Sequence, residues 1–357
     1  MSNIKKRSII LTALLIVVCV ILVCLVWYMM KWNDTESLES VDAANNTTEL
    51  SAWVVDWQWE SGLEDFRRIT DGLSSVQVFA AYFDENDKLH FTDRMTKAMP
   101  EIKEASKQGS YVDLDLTIVN DRLNSNGTQV QKDPSIVSRL MATDASRTKH
   151  IMEIKNAVIE NGFHGLEIDY ERIDETDWDN FLTFIHTLYQ HMEQEGKSLR
   201  IVLEPRAPIE ELALPKGPTY VMMAYNLYGT NTEPGPKADH AFIEELAHRM
   251  QKVPGDKVMA LSVGGFDWAS DGKVTAVTEK QAADLAVSSI EPPKRDKASG
   301  SLYFDYIGED GQKHTVWYAD EETLSQWVAV AKKAGIEKIA LWRLGDMGDG
   351  TLQYVNR

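Results

Sequence analysis

Residues 163–171 read FHGLEIDYE, and the order of residue types in this stretch decides the fold. In a strand, successive side chains alternate between two faces, which puts Gly165, Glu167, Asp169 and Glu171 on one side and Leu166, Ile168 and Tyr170 on the other. The apolar face needs a hydrophobic layer behind it. The acidic face points into an interior, where three carboxylates in a row carry a desolvation and repulsion cost that aliphatic side chains would avoid. The competing reading, an exposed edge strand with a solvated acidic face, is opposed by the apolar partner face and by Gly162 and Gly165. A strand buried on both sides, with its acids pointing inward and gathered at its C-terminal end, is the signature of a barrel with a working mouth.

Working outward, β-branched runs alternate with amphipathic helical stretches from residue 51 onward, as repeated βα units require. Eight strand candidates follow: SAWVVDWQW from Ser51, SSVQVFAAYF from Ser74, YVDLDLTIV from Tyr111, FHGLEIDYE, SLRIVLE from Ser198, TYVMMAYNLY from Thr219, KVMALSVGGF from Lys257 and IEKIALWRLG from Ile336. Eight parallel strands predict a (β/α)8 barrel over residues 51–357. The stretch from Asp177 to Gly196 carries apolar residues three and four apart and predicts a helix, whereas the fifth connection is too short for a full one. GSLYFDYIGEDGQKHTVWYAD from Gly300 predicts a hairpin insertion near 300–320, turning at Glu309, Asp310 and Gly311 and walling the barrel mouth.

Ahead of the barrel, residues 8–30 read SIILTALLIVVCVILVCLVWYMM, 23 residues without a charge. As a helix they are long enough to cross a hydrocarbon core of ~30 Å. Lys5, Lys6 and Arg7 precede the run and Trp27, Tyr28 and Trp32 follow it, which predicts a cytoplasmic segment 1–7, an uncleaved single-pass anchor and an extracytoplasmic remainder. A lipid bilayer is thus one expected partner. Residues 31–50 have the composition of a solvated linker. The only cysteines, Cys19 and Cys24, lie inside the apolar run, so no disulfide framework or cysteine metal site is available. With 55 acidic against 37 basic residues and a net charge of −18, the chain is a poor match for nucleic acid and other polyanions.

HGLEIDYE resembles the DGxDxDxE signature of glycoside hydrolase family 18, the chitinase-like barrels. Glu171 stands at the position of the catalytic acid and Asp169 at its aspartate partner. VMMAYN from Val221 is similar to the sixth-strand motif, in which Tyr225 would contact the substrate acetamido group. KIALWRLG from Lys338 is similar to the last strand, where Trp342 would floor the sugar site. With FDW after the seventh strand and HTVWYAD before the last helix, the order of motifs most resembles the bacterial branch of spore-cortex and cell-wall N-acetylglucosaminidases.

There are departures from that pattern. His164 replaces the first aspartate, but alternation turns it away from the acids, toward packing or hydrogen bonding. Glu167 replaces the middle aspartate, a catalytic position whose role in the family is to share a proton with Asp169 and position it, Asn226 replaces a common aspartate after the tyrosine, and YVDLDLTIVN lacks the serine-and-glycine motif of the third strand.

The chemistry implied by the resemblance is substrate-assisted retaining hydrolysis of a glycan containing N-acetylglucosamine, peptidoglycan or chitin-like, with no cofactor and no metal. The substrate's acetamido oxygen attacks the anomeric carbon, Glu171 protonates the leaving oxygen, Asp169 orients the acetamide and Tyr225 donates to its oxygen. Glu204, ending the fifth strand in VLEPR, is either a direct nucleophile, which would make the acetamido group dispensable, or a partner of Arg206. Trp53, Trp57 and Trp59 share a face of the first strand, a pattern more often core than sugar platform, with Trp57 or Trp59 the ones that would stack on sugar. Tyr82, Asn120 and Arg343 end other strands as rim contacts. Asp113 and Asp115 alternate inward with Thr117, as a hydrogen-bonded inner layer. The rival to an enzyme is a glycan-binding module that kept the barrel and lost turnover, for which Glu167, Asn226 and the missing motif speak.

Overall fold

The computed structural model describes residues 48–357, and the compact unit runs from Glu49 to Arg357. The expected anchor at 8–30, the segment 1–7 before it and the linker as far as residue 47 lie outside the described residues. Among the described residues no helix is long and apolar enough to cross a membrane.

Eight parallel strands close into a barrel: β1 Glu49–Val55, β2 Ser75–Phe83, β3 Asp113–Leu123, β4 Gly165–Asp169, β5 Ser198–Leu203, β6 Thr219–Met223, β7 Lys257–Ser262 and β8 Lys338–Trp342. Each pairs with the next, and β8 returns to β1. All eight expected strands are present, and with them the (β/α)8 architecture. Glu49 and Leu50, expected in the linker, begin β1 because their backbone pairs with Lys338 and Ile339.

Outward-facing side chains such as Leu116, Leu166, Ile168 and Ile201 pack against the helices in one continuous layer. A second cluster, including Trp53, Val55, Phe79, Val119, Val202 and Tyr225, fills the upper barrel interior. The helix after β4 spans Trp178–Gln194 and stops at Gly196, whose φ of +66° is the left-handed conformation that ends helices. No helix follows β5, in agreement with the short connection.

The expected hairpin exists, with Leu302–Ile307 antiparallel to Lys313–Ala319, but it is the middle of something larger. The insertion is a five-stranded antiparallel sheet in the order Val274–Val277, Gly264–Ala269, Lys313–Ala319, Leu302–Ile307, Lys294–Arg295. The seventh strand candidate therefore divides in two. β7 ends at Ser262, and Gly264 (φ +67°) turns the chain into the second sheet, which has its own core around Phe304, Tyr306, Val316 and Tyr318.

Candidate active site

Register carries the acids of β4 into the barrel. Glu167 is level with Thr117 on β3 and Arg200 on β5. It is fully buried and fully engaged. Its Oε1 accepts from Trp53 Nε1 at 2.6 Å and Thr117 Oγ1 at 2.9 Å, and its Oε2 accepts from Arg200 Nε at 2.9 Å. Arg200 also reaches across the interior to Ser51 Oγ at 3.1 Å. This lower layer continues through Asp115, which accepts from Gln77 and whose pKa burial raises to about 6.

One residue further up the same face, Asp169 is buried and its Oδ1 makes no hydrogen bond among the described residues. Burial first, then the charges of Glu171 and Glu167, hold its carboxyl well above the usual carboxylate range. Glu171 lies just beyond the strand end, where Asn120 grips its backbone. Asn120 Oδ1 accepts the Glu171 N–H at 3.0 Å, and Asn120 Nδ2 donates to the Glu171 carbonyl at 2.9 Å. Burial pushes the Glu171 carboxyl up to about 7 against the opposing pull of Lys132, whose ammonium donates to Oε2, while the neighbouring Glu204 carboxyl raises it further. Glu204 accepts the Arg172 N–H at 2.6 Å.

Above these acids opens a cavity of ≈ 450 Å³ at the C-terminal end of the strands. Trp342 is its aromatic centre, stacked on Tyr225 (centroids 6.2 Å apart, planes at 13°) and edge-on to Phe79 at 5.0 Å and Trp53 at 5.6 Å. Burial and the charges of Asp169, Glu171 and Glu167 push the Tyr225 phenol far up, so it remains a proton donor, and its hydroxyl makes no hydrogen bond among the described residues. Tyr82 lines the wall and donates to Asp56 at 2.9 Å. Asn226 lines the cavity with φ at +61°, a conformation that asparagine and aspartate tolerate better than other side chains except glycine.

Most of the residues expected at the site gather, Arg343 lining a neighbouring cavity instead, and three further readings are adjusted. β1 stops at Val55, so the three tryptophans do not share a strand face. Trp53 points inward to Glu167, Trp57 sits on a turn of 3-10 helix at 43% exposure and lines the cavity, and Trp59 opens the helix Trp59–Ile69 and packs against the outer core. Asn120 spends its amide on the backbone of Glu171 and is a positioning residue. Glu204 bonds the Arg172 backbone and faces Glu171, in place of pairing with Arg206. His164, away from the acids, accepts the Leu114 N–H and contacts Tyr111.

Asp56, Asp121, Lys132 and Arg200 were not foreseen. Arg200 had a signal, since a charge in the middle of SLRIVLE falls on the same face as Val202 and Glu204. Lys132 had none, because it lies on a loop whose path local periodicity does not describe. Among the described residues no group of three or more His, Cys, Asp or Glu side chains is placed to hold a metal ion.

Comparison with known proteins agrees with this geometry. The Glycosyl hydrolases family 18 profile matches residues 57–346. An uncharacterized glycosylase, YvbX, of Bacillus subtilis is 24% identical over 249 residues, covering 66% of this chain and 72% of its own. The cortical fragment-lytic enzyme of Bacillus anthracis is 22% identical over 301 residues, 79% of this chain and 68% of that one. Among solved structures, the spore cortex-lytic enzyme SleL of Bacillus cereus superposes with a TM-score of 0.71 at 19% identity, over 87% of this chain and 74% of SleL. A chitinase from Chromobacterium violaceum superposes at 0.73 with 17% identity, over 86% of this chain and 98% of its own. With the carboxylate strand, the closed barrel and a family match across nearly the whole described unit, the chain belongs to glycosyl hydrolases family 18.

Proposed function

We propose that this chain hydrolyses a glycan containing N-acetylglucosamine by substrate-assisted, retaining catalysis. The observation that carries the reading is Glu171, a carboxyl at the cavity floor held near neutrality by burial, as a general acid working around pH 7 needs. Glu171 protonates the glycosidic oxygen as the bond to the anomeric carbon breaks. The substrate's 2-acetamido oxygen attacks that carbon from the other face, Asp169 takes the acetamide N–H and stabilises the positive charge of the cyclic intermediate, and Tyr225 donates to the acetamido oxygen. Trp342 supplies the apolar floor, with Trp57 and Tyr82 on the walls. Water, deprotonated by Glu171, then opens the intermediate with net retention.

The substrate class is peptidoglycan or a chitin-like polymer, and the relatives named for cortex lysis support the former. Residues 8–30 anchor the chain in the cytoplasmic membrane with the barrel outside. Protease added to intact, wall-stripped cells then degrades the barrel, and full protection overturns that topology.

A second reading, a glycan-binding barrel with little turnover, is favoured by the Lys132 ammonium, which donates to Oε2 of Glu171 and favours its unprotonated form. Defined glycans with and without the 2-acetamido group decide between them. Hydrolysis restricted to acetamido sugars supports the proposal, and binding without cleavage supports the rival. A glycosyl azide of inverted configuration formed by Glu204→Gln in the presence of azide overturns substrate assistance, because it reveals a protein nucleophile.

A further inference from the structure

Beside the catalytic cavity lies a second one of ≈ 300 Å³, between the end of β8 and the inserted sheet, and the two share Asn226 and Trp342. We infer that this neighbour receives a carboxylate carried by the glycan, with Lys237 and Arg343 as the cations that bind it. The inference rests on the glycan reading above and narrows its substrate to acidic N-acetylated glycans.

Neither cation has a carboxylate within ion-pair distance among the described residues, and the charge that acts on Arg343 from Asp346 does not reach Lys237. Lys237 Nζ donates to Ser262 Oγ at 2.9 Å and to the Val263 carbonyl at 3.3 Å, and stands 5.2 Å from the Phe266 ring centroid. Arg343 donates one N–H to Gln58 Oε1 at 2.6 Å and lies over the Trp57 ring at 5.5 Å. Every one of these partners is neutral. Among the described residues neither cation forms an ion pair, in a chain with 55 acidic side chains to choose from.

The two acids that line the cavity make their hydrogen bonds to neutral donors, and Asp346 reaches Arg343 only through the shared Gln58 and through space. Glu279 accepts from the Gly348 N–H and from Thr351 Oγ1, both at 2.9 Å, and Asp346 Oδ2 accepts from Gln58 Nε2 at 2.8 Å. Both side chains are half-buried, and holding two cations partly out of water beside each other, with no carboxylate on either, is costly. The strain registers on both groups. Burial, then the charge of Arg343, pushes the Lys237 ammonium down to about 7, and burial lowers Arg343 against the opposing charge of Asp346.

A carboxylate there would place a negative charge against Lys237 and accept charge-assisted hydrogen bonds from both. Because Trp342 borders both cavities, that carboxylate belongs to the same ligand as the sugar on the aromatic floor. An acid ether-linked to an aminosugar, or a uronic acid, has the needed chemistry. A neutral chitin chain does not.

The test compares kcat/KM, and affinity by calorimetry, for three oligosaccharides of equal length: neutral chitin oligomer, N-acetylglucosamine alternating with N-acetylmuramic acid, and the latter with its carboxyls reduced to alcohols. The carboxylated oligomer is expected to be favoured over its reduced form by roughly ten- to a hundredfold, the worth of one or two charge-assisted bonds. Arg343→Gln and Lys237→Met should bring that ratio toward one, while Arg343→Lys and Lys237→Arg keep most of it. Being a ratio, it survives a general loss of activity in any variant, and the wild-type comparison stands even if a variant does not fold. Equal handling of the carboxylated and reduced oligomers by the wild-type protein overturns the inference. If neutral oligomer is cleaved without preference, hydrolysis stands and the anion site falls. If carboxylated oligomer binds more tightly but nothing is cleaved, the anion site stands and hydrolysis falls.

Discussion

Glu167 and Glu171 stand four residues apart, one within β4 and the other just beyond its end, and the barrel treats them in opposite ways. Glu167, low in the interior, has a donor for each oxygen and a guanidinium to balance its charge. Glu171, at the top, and Asp169 between them, are left short of donors: Asp169 keeps an unbonded oxygen, and Glu171 faces another carboxylate, with Lys132 as the single cation on it among the described residues. The residue types are the same, so height along the barrel axis makes the difference. At the bottom a buried charge must be paired at once or the fold does not close. At the top the open cavity lets a poorly satisfied acid persist, and such an acid retains its proton near neutral pH.

The strongest way to break this contrast is to neutralise each acid or its support in turn. Glu171→Gln keeps shape and removes the proton, so hydrolysis should fall on the order of 10²- to 10⁴-fold with the unfolding midpoint little changed. A steady-state rate and a urea titration on the same sample check both halves. Arg200→Met should do the reverse, costing about 3–5 kcal/mol of stability by stranding the Glu167 carboxylate. Adding Glu167→Gln should recover part of that loss, and no recovery would mean that the pair is not the unit described here.

The pH profile sharpens the upper half of the comparison. Glu171 acts with its proton on, so kcat/KM should fall as pH rises through about 7. Lys132 lowers and Glu204 raises the Glu171 pKa, so Lys132→Met should move the descending limb to higher pH and Glu204→Gln to lower pH. Shifts in the same direction would refute this arrangement. The smallest effect expected is from Asn226→Asp, which suits the positive φ equally well and adds a carboxyl to the cavity. Turnover should rise modestly, within about a factor of ten, or its pH optimum should shift.

What the amino-acid order determined by itself is what depends on neighbours in the chain. Period-two alternation placed Glu167, Asp169 and Glu171 on one face, eight such runs implied eight strands, and Gly196 marked a helix end, because strand and helix geometry repeat over a few residues. The motif likenesses placed Tyr225 and Trp342, whose side chains do meet at the cavity. Where local geometry changed within a run, reading by alternation failed: the turn after Val55 separated Trp53 from Trp57 and Trp59, and the bend at Gly264 sent the second half of a strand candidate into another sheet. Only the tertiary structure decided the partnerships. Arg200 on Glu167, Lys132 and Glu204 on Glu171, and Lys237 near Arg343 each join residues more than thirty positions apart. Those contacts follow from register, barrel closure and loop paths. Each of these is a free-energy balance over the whole barrel, and no short window of sequence contains it.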